Sequence, residues 1–126
     1  MSESIVYQKA YLFAIDVVQL YKHLSTEKKE FVLSKQVLRS GTSIGANVNE
    51  AISSESKKDF VHKLGIALKE ARETAYWLSL LKDSGYINIE QFSPLKDSCN
   101  SLIKILSSII ITTKERYLKK QVTHNS

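Results

Sequence analysis

The chain is poor in the residues that break helices and form tight turns. It has four glycines and one proline in 126 residues, too few for the many turns of an all-β fold. Its one cysteine, Cys99, excludes an internal disulfide and favours a reducing compartment, the cytoplasm. No uncharged run reaches the ~20 residues of a membrane span, and Lys9, Asp16 and Lys22 interrupt any signal-peptide pattern. These absences predict a soluble, cytoplasmic, helical protein with no membrane partner.

Residue clusters that support catalysis or bind metal ions are also missing. His23, His62 and His124 have no cysteine or histidine partner at the spacing of a zinc site. The chain contains no phosphate-binding loop, no Gly-x-Ser-x-Gly segment and no dinucleotide fingerprint. Glu70 and Glu73 lie three residues apart, but the Glu-x-x-His pairs of a di-iron bundle are absent. We therefore predict no catalytic residue, no metal, no cofactor and no small-molecule substrate.

Four amphipathic segments dominate what is present. Apolar residues recur at steps of three and four over residues 5–24, 27–54 and 56–83, and again from Asn88 or from Ser93-Pro94 onward. Ser25 and Thr26 are candidate caps for the second helix, Ser56 caps the third, and Gly85 ends it. Short connections between four helices predict an all-α fold, an antiparallel up-down four-helix bundle. We assign residues 1–120 to this single domain and 121–126 to a flexible C-terminal tail.

Residues 39–50 place small and polar residues inside the second helix. Gly41 and Gly45 each cost ~1 kcal/mol relative to alanine in an exposed helix, so we expect this face to pack against another backbone. A polar stripe lies beside the core line, and Glu73 and Arg72 on the third helix are candidate partners. We interpret the stripe as hydrogen bonds that fix helix register; the alternative is a small polar ligand site. This polar seam consists of Arg39, Ser43, Asn47, Glu50 and Glu73.

The middle of the fourth helix is apolar on nearly every side. Its core line includes Cys99, which we interpret as a small buried apolar residue rather than a nucleophile. A helix that is apolar all round requires burial all round, which one four-helix protomer does not readily supply. We therefore predict an oligomer interface at Ile103, Ile105, Ile110 and Ile111.

Positive charge gives the one indication of a partner. The net charge is +5 and the calculated pI is about 9.3. Such charge neutralises phosphates; the alternative is a solvated helix end, where the dipole favours cations. Because no stacking motif or helix-turn-helix accompanies it, contact with a nucleic-acid backbone is favoured over base reading. The basic residues form two clusters, Lys57 and Lys58 at the start of the third helix and Lys114, Arg116, Lys119 and Lys120 near the C-terminus.

A recognisable pattern runs through several segments of the chain. It consists of LSKQVLRS at 33–40 and SIGANVNE at 43–50, then Phe60, Ile66-Ala67-Leu68 with Glu73, and Gly85-Tyr86-Ile87. These segments together resemble a bacterial family, the four-helix-bundle proteins encoded in intervening sequences of 23S ribosomal RNA genes. The resemblance extends from about Val6 to Tyr117. The chain departs from the family at Ala51, where glycine is usual, and at Lys69-Glu70, where Gly-Ser is common.

The resemblance implies a ring-shaped homo-oligomer, commonly a pentamer. It also implies kinship with the accessory variability proteins of diversity-generating retroelements, which resemble basic barrels that bind nucleic acid and a reverse transcriptase. We predict a non-enzymatic oligomeric bundle that binds structured RNA or a ribonucleoprotein through its basic surfaces. The competing hypothesis is a protein-interaction scaffold that does not bind nucleic acid.

Overall fold

Four helices account for nearly all of the chain. The computed structural model describes the backbone of residues 2–125 and the side chains of residues 5–117 and 119. The helices are α1 (Ser2–Thr26), α2 (Leu33–Ile52), α3 (Lys57–Asp83) and α4 (Ile89–Asn125). Each packs on its neighbours in the chain, and α1 also closes the bundle against α4 through the least extensive of the four interfaces. The predicted all-α four-helix bundle is confirmed, whereas the ring-shaped oligomer stays a prediction.

The core runs along the bundle axis and receives apolar side chains from every helix. Cys99 is fully buried, and its Sγ lies 3.1 Å from the carbonyl oxygen of Ala71. Burial raises the pKa of this thiol to about 11, which suits a packing role and not nucleophilic chemistry. The largest fully buried side chains include Phe13, Leu24, Ile44, Leu64, Leu78, Leu81, Leu102 and Leu106.

The predicted start of the second helix is wrong. The helix α2 begins at Leu33, and Ser25 and Thr26 belong to the last turn of α1. Their hydroxyl groups do not cap α2 but donate backward, to the carbonyl oxygens of Tyr21 (2.9 Å) and Lys22 (2.6 Å). Serine and threonine hydroxyls make such bonds to the preceding turn as readily as they cap a following helix.

Glu30 provides the cap of α2 in their place. Its carboxylate accepts backbone hydrogen bonds from Val32 (3.1 Å), Leu33 (3.0 Å) and Ser34 (2.7 Å). A positive φ of 53° at Lys29 turns the chain just before it, a conformation that is uncommon for residues other than glycine. Three of the N–H groups that a helix start leaves without partners are thereby satisfied by one buried carboxylate.

The ends of α3 follow the sequence pattern. Ser56 accepts a hydrogen bond from the backbone N–H of Asp59 at 3.1 Å. At the other end Gly85 has a φ of +83°, and the N–H of Tyr86 bonds to the carbonyl of Leu81 at 2.9 Å. This is the Schellman arrangement that glycine favours after a helix. Both predicted signals for α3 are confirmed.

Asn88, not Ser93-Pro94, starts α4. The side chains of Asn88 and Gln91 each accept the other's backbone N–H, at 2.8 and 2.9 Å, which is a capping box. Pro94 lies inside the helix. The helix continues to Asn125, and because the side chains of residues 120–126 lie outside the described part, the flexible tail at 121–126 stays a prediction.

The two glycines of α2 are buried, and they lie against α1. The sequence predicts close packing of this face but does not name the partner helix. A Cβ atom added to Gly41 would lie 2.8 Å from both γ carbons of Val17, well inside van der Waals contact. A Cβ added to Gly45 would lie 3.5 Å from the backbone oxygen of Ala10, an ordinary contact. The close approach of α1 and α2 therefore depends on Gly41 far more than on Gly45.

Candidate nucleic-acid interface

A basic groove opens between the start of α3 and the last third of α4. Its volume is about 420 Å³, and Lys57, Lys58, Val61, Lys114 and Tyr117 line it. Because α4 runs antiparallel to α3, its C-terminal part lies beside the N-terminus of α3. The fold thus brings together lysines from the two clusters that are far apart in the sequence. We call this surface the end groove.

The lysines at the start of α3 lie where the helix itself disfavours them. A helix N-terminus carries a partial positive charge that repels cations and attracts anions. Lys57 and Lys58 nonetheless occupy its first turn, and both are exposed. The ammonium group of Lys57 lies 6.0 Å from the ring centre of Phe60. The helix dipole therefore does not explain this cluster, and an anion in the end groove would be attracted by the lysines and the dipole together.

Two of the remaining predicted phosphate contacts, Arg116 and Lys119, are not among the described residues that line the groove. Arg116 is exposed on α4. It follows Lys114 by two residues, which is a rotation of roughly 200° around the helix axis, so the two side chains lie on different sides of α4. Lys119 is exposed and lies beyond Tyr117. Lys120 falls outside the residues whose side chains are described.

An aromatic side chain that was not predicted from the sequence belongs to this surface. Tyr117 lines the groove with 47% of its surface exposed. An exposed ring beside lysines is the pairing that stacks a base while phosphates are neutralised. The signal was its position three residues after Lys114, on the same side of the helix.

Arg39 and Glu73, two members of the polar seam, contact each other across α2 and α3. The guanidinium of Arg39 forms ion pairs with Glu73 and, at 3.2 Å, with Glu70. The indole N–H of Trp77 donates to the Glu73 carboxylate at 2.9 Å. This hydrogen bond lowers the pKa of Glu73. Burial raises the pKa, but the positive charges of Arg39 and Lys69 lower it again, and the net shift is downward. The cluster lies at the surface, since 49% of the Arg39 side chain is exposed.

The other seam residues make separate, local contacts. Ser43 donates to the carbonyl of Arg39 at 2.7 Å, and Asn47 donates to the carbonyl of Ser43 at 2.9 Å. Glu50 forms a 2.9 Å ion pair with Lys63 on α3. Arg72, the second candidate partner, is exposed on α3 and makes no ion pair within the described part of the chain. The seam therefore ties α2 to α3 at two points.

A buried pair of hydroxyl groups, not predicted from the sequence, joins α2 to α3. The Oγ1 of Thr74 lies 2.9 Å from the Oγ of Ser40, and both residues are fully buried. Small hydroxyl residues let two helices approach while each oxygen keeps a partner. Ser40 follows Val37 by three residues, and Thr74 follows Ala71 by three. This spacing, which places both on the core faces of their helices, was their signal in the sequence.

The isoleucines of the predicted oligomer interface differ in exposure. Because α4 lies between α1 and α3, Ile103, Ile105 and Ile110 are partly buried against the protomer's own core. Ile111 keeps 57% of its surface exposed. The interface stays a prediction, and Ile111 is its most accessible member.

Metal sites and membrane spans are both absent from the part of the chain that the structure describes. No group of three or more histidine, cysteine, aspartate or glutamate side chains is placed to hold a metal ion there. Within residues 2–125, every helix is too short or too polar to cross a membrane.

Fold and groove together define a basic four-helix-bundle protein. The chain belongs to the family of 23S rRNA-intervening sequence proteins, whose family model matches residues 2–108. It is similar to a crystal structure from Bacteroides thetaiotaomicron, described as a protein with unknown function from the S23 ribosomal protein family. The two chains are 52% identical over 87% of this chain and 98% of that one, with a TM-score of 0.86. No curated protein matches the chain. The family resemblance read from the sequence is confirmed.

Proposed function

We propose that the protein is a non-enzymatic bundle that binds structured RNA through the end groove. The observation that carries this proposal is the meeting of Lys57, Lys58 and Lys114 around one groove beside an exposed Tyr117. Lysines neutralise phosphates and release counterions, which makes such binding strong at low salt and weak at high salt. Phosphate contacts of this kind position an RNA without reading its sequence.

Replacing Lys57 and Lys114 with glutamine is expected to weaken RNA binding about tenfold and to lower the salt slope by about two. The measurement is fluorescence anisotropy with a fluorescein-labelled fragment of structured 23S ribosomal RNA at ~50 and ~200 mM salt. A matched control replaces Lys9 and Lys22, which are exposed on α1, a helix that makes no contact with α3 in the described chain.

Two results would contradict the assignment. If the groove variant binds like the control, the phosphates lie elsewhere. If the unmodified protein does not bind this fragment at ~50 mM salt, the structured-RNA proposal fails and the protein-interaction scaffold becomes the better hypothesis.

We also propose that the chain assembles as a homo-oligomer, with the pentamer favoured by the family resemblance. Support comes from apolar side chains that stay exposed on two adjoining helices, Ile111 on α4 and Ile5, Leu12 and Ile15 on α1, because contact with a second copy of the chain would remove them from water. The single buried cysteine supports a cytoplasmic location.

Ile111→Asp is expected to yield smaller species in sedimentation velocity, because a charge in an apolar interface is costly. Ile103 and Ile110 are unsuitable for this test, since aspartate there would also disturb the core they pack against. Thr112→Asp introduces the same charge at a neighbouring exposed position and is expected to leave the mass unchanged. An unchanged mass for Ile111→Asp would exclude this residue from the interface.

A further inference from the structure

The outward face of α3 carries a line of basic and aromatic residues that contains no carboxylate. The residues recur at steps of four and three, which keeps them on one side of the helix over about 27 Å. All are exposed, and the first of them, Lys58, also lines the end groove. We call this line the α3 stripe; it consists of Lys58, His62, Gly65, Lys69, Arg72 and Tyr76.

The carboxylates nearest the middle of the stripe share one cation from α2. Glu70 and Glu73 are paired with Arg39, which approaches from α2 on the inner side. Lys69 lies near enough to Glu73 to lower its pKa, yet neither Lys69 nor Arg72 forms an ion pair with any described residue. Arg39, Lys69 and Arg72 together carry three positive charges against the two of these carboxylates, so this part of the surface stays net positive.

At Gly65, in the middle of the stripe, no side chain covers the helix backbone. A Cβ atom built at Gly65 would have no neighbour within 4 Å, so no packing requirement explains a residue that is unfavourable inside an exposed helix. Gly41 differs, because Val17 occupies the space beside it. Glycine at an open helix surface allows another backbone to approach closely, here between Lys58 and Lys69.

Tyr76 ends the stripe with an exposed ring in a held orientation. Sixty per cent of Tyr76 is exposed, and Trp77 packs against it at 5.0 Å between ring centres with the planes 71° apart. Trp77 is fixed in turn by its hydrogen bond to Glu73. A ring that is held and still accessible is suited to stack on an unpaired base. Bases inside a duplex are already stacked on each other and do not offer that face.

We propose that the α3 stripe is the track of a single-stranded RNA segment that continues from the end groove. Its phosphates contact Lys58, Lys69 and Arg72, its backbone passes over Gly65, and one base stacks on Tyr76. The proposal rests on the proposed function, whose groove is its starting point. It adds that the RNA has an unpaired segment next to the part in the groove, and the path that this segment follows.

The test uses a fluorescein-labelled 12-nucleotide oligouridylate and its duplex with oligoadenylate, in anisotropy titrations at ~50 and ~200 mM salt. Lys69→Gln with Arg72→Gln is expected to weaken single-strand binding at least tenfold and to lower the salt slope by about 1.4, since each phosphate contact on a single strand contributes about 0.7. Tyr76→Ala is expected to weaken it about tenfold, whereas Tyr76→Phe retains the ring and the affinity. The Lys9→Gln, Lys22→Gln protein is the charge-matched control.

A second readout locates the stacked base directly. Oligouridylate carrying 5-iodouridine is expected to crosslink to Tyr76 under long-wavelength ultraviolet light, and mass spectrometry identifies the modified peptide. A purely structural role for Tyr76 would not produce this crosslink.

The outcomes separate the track from the groove. If Lys57→Gln with Lys114→Gln weakens binding while the stripe variants match the control, the track is overturned and the groove stands. Equal affinity for duplex and single strand, with Tyr76→Ala unchanged and no crosslink, also overturns the track. Failure of the unmodified protein to bind either RNA overturns the groove and the track together.

Discussion

Replacing Glu30 with alanine is expected to lower the free energy of unfolding by about 2–4 kcal/mol, because one buried carboxylate accepts three backbone N–H groups at the start of α2. Without it, those donors lose their partners in a site that is shielded from water. Urea denaturation followed by circular dichroism at 222 nm measures the effect. Glu27→Ala is the matched control, since Glu27 is exposed in the same connection. Equal stability of the two variants would contradict the capping role.

The contribution of Glu30 is also expected to depend on pH. Burial raises the pKa of Glu30, but the hydrogen bonds from Leu33, Ser34 and Val32 outweigh it and hold the pKa below its ordinary value of 4.5. A carboxyl with a lowered folded pKa stabilises the protein fully above its unfolded pKa, and this stabilisation is lost as the pH falls through the folded pKa. The stability difference between wild type and Glu30→Gln should therefore be largest at neutral pH and shrink on acidification below 4.5. A difference that stays constant down to about pH 2 would contradict this linkage.

Gly41→Ala is expected to destabilise the protein by about 1–2 kcal/mol. The added methyl group would meet Val17, which is fully buried and stiff because it is branched at Cβ. Overpacking of this kind costs about 1–3 kcal/mol, of which the better helix propensity of alanine offsets up to about 1 kcal/mol. Thermal and urea unfolding measure the change in the free energy of unfolding directly.

Gly45→Ala and Gly65→Ala are the controls for this prediction. At Gly45 the new methyl group would make only an ordinary contact with Ala10, and at Gly65 it would meet nothing. Both variants are expected to be as stable as the wild type or more stable, by up to about 1 kcal/mol. If Gly41→Ala behaves like them, α1 and α2 do not approach as closely at Val17 as the structure has it.

Most of the fold was predictable because its signals are local. Ser56 and Gly85 mark the ends of α3 by chemistry that acts within a few residues, and apolar spacing alone indicates four helices. The start of α2 was not predictable in this way. Ser25 and Thr26 have the residue types of a cap, whereas the actual cap comes from Glu30, whose side chain reaches the helix only after a turn at positive φ. That turn depends on a Lys29 conformation that no propensity favours.

The candidate site was predictable in its parts and not in its arrangement. Both lysine clusters stand out in the sequence, but their meeting depends on which turn of α4 lies beside the start of α3, and hydrophobic spacing does not determine that register. The partnership of Arg39 with Glu73 was named in advance, whereas its second partner, Glu70, was not. Tyr76 and Tyr117 were not predicted, because their only sequence signal is helical spacing from neighbouring basic residues, and that spacing does not show whether a ring is exposed.

The interface between α1 and α4 is the least extensive in the bundle, and this affects the order of folding. Every other interface joins helices that follow each other in the chain, so these contacts form across short connections. Closing α4 onto α1 is the one step that brings the two ends of the chain together, and it therefore costs the most loop entropy for the smallest contact. We expect assembly to proceed through helical hairpins and to end with this closure. The same interface is then the first to open in the folded protein, which would admit solvent to Phe13 and Leu102 at the floor of the cleft between α1 and α4.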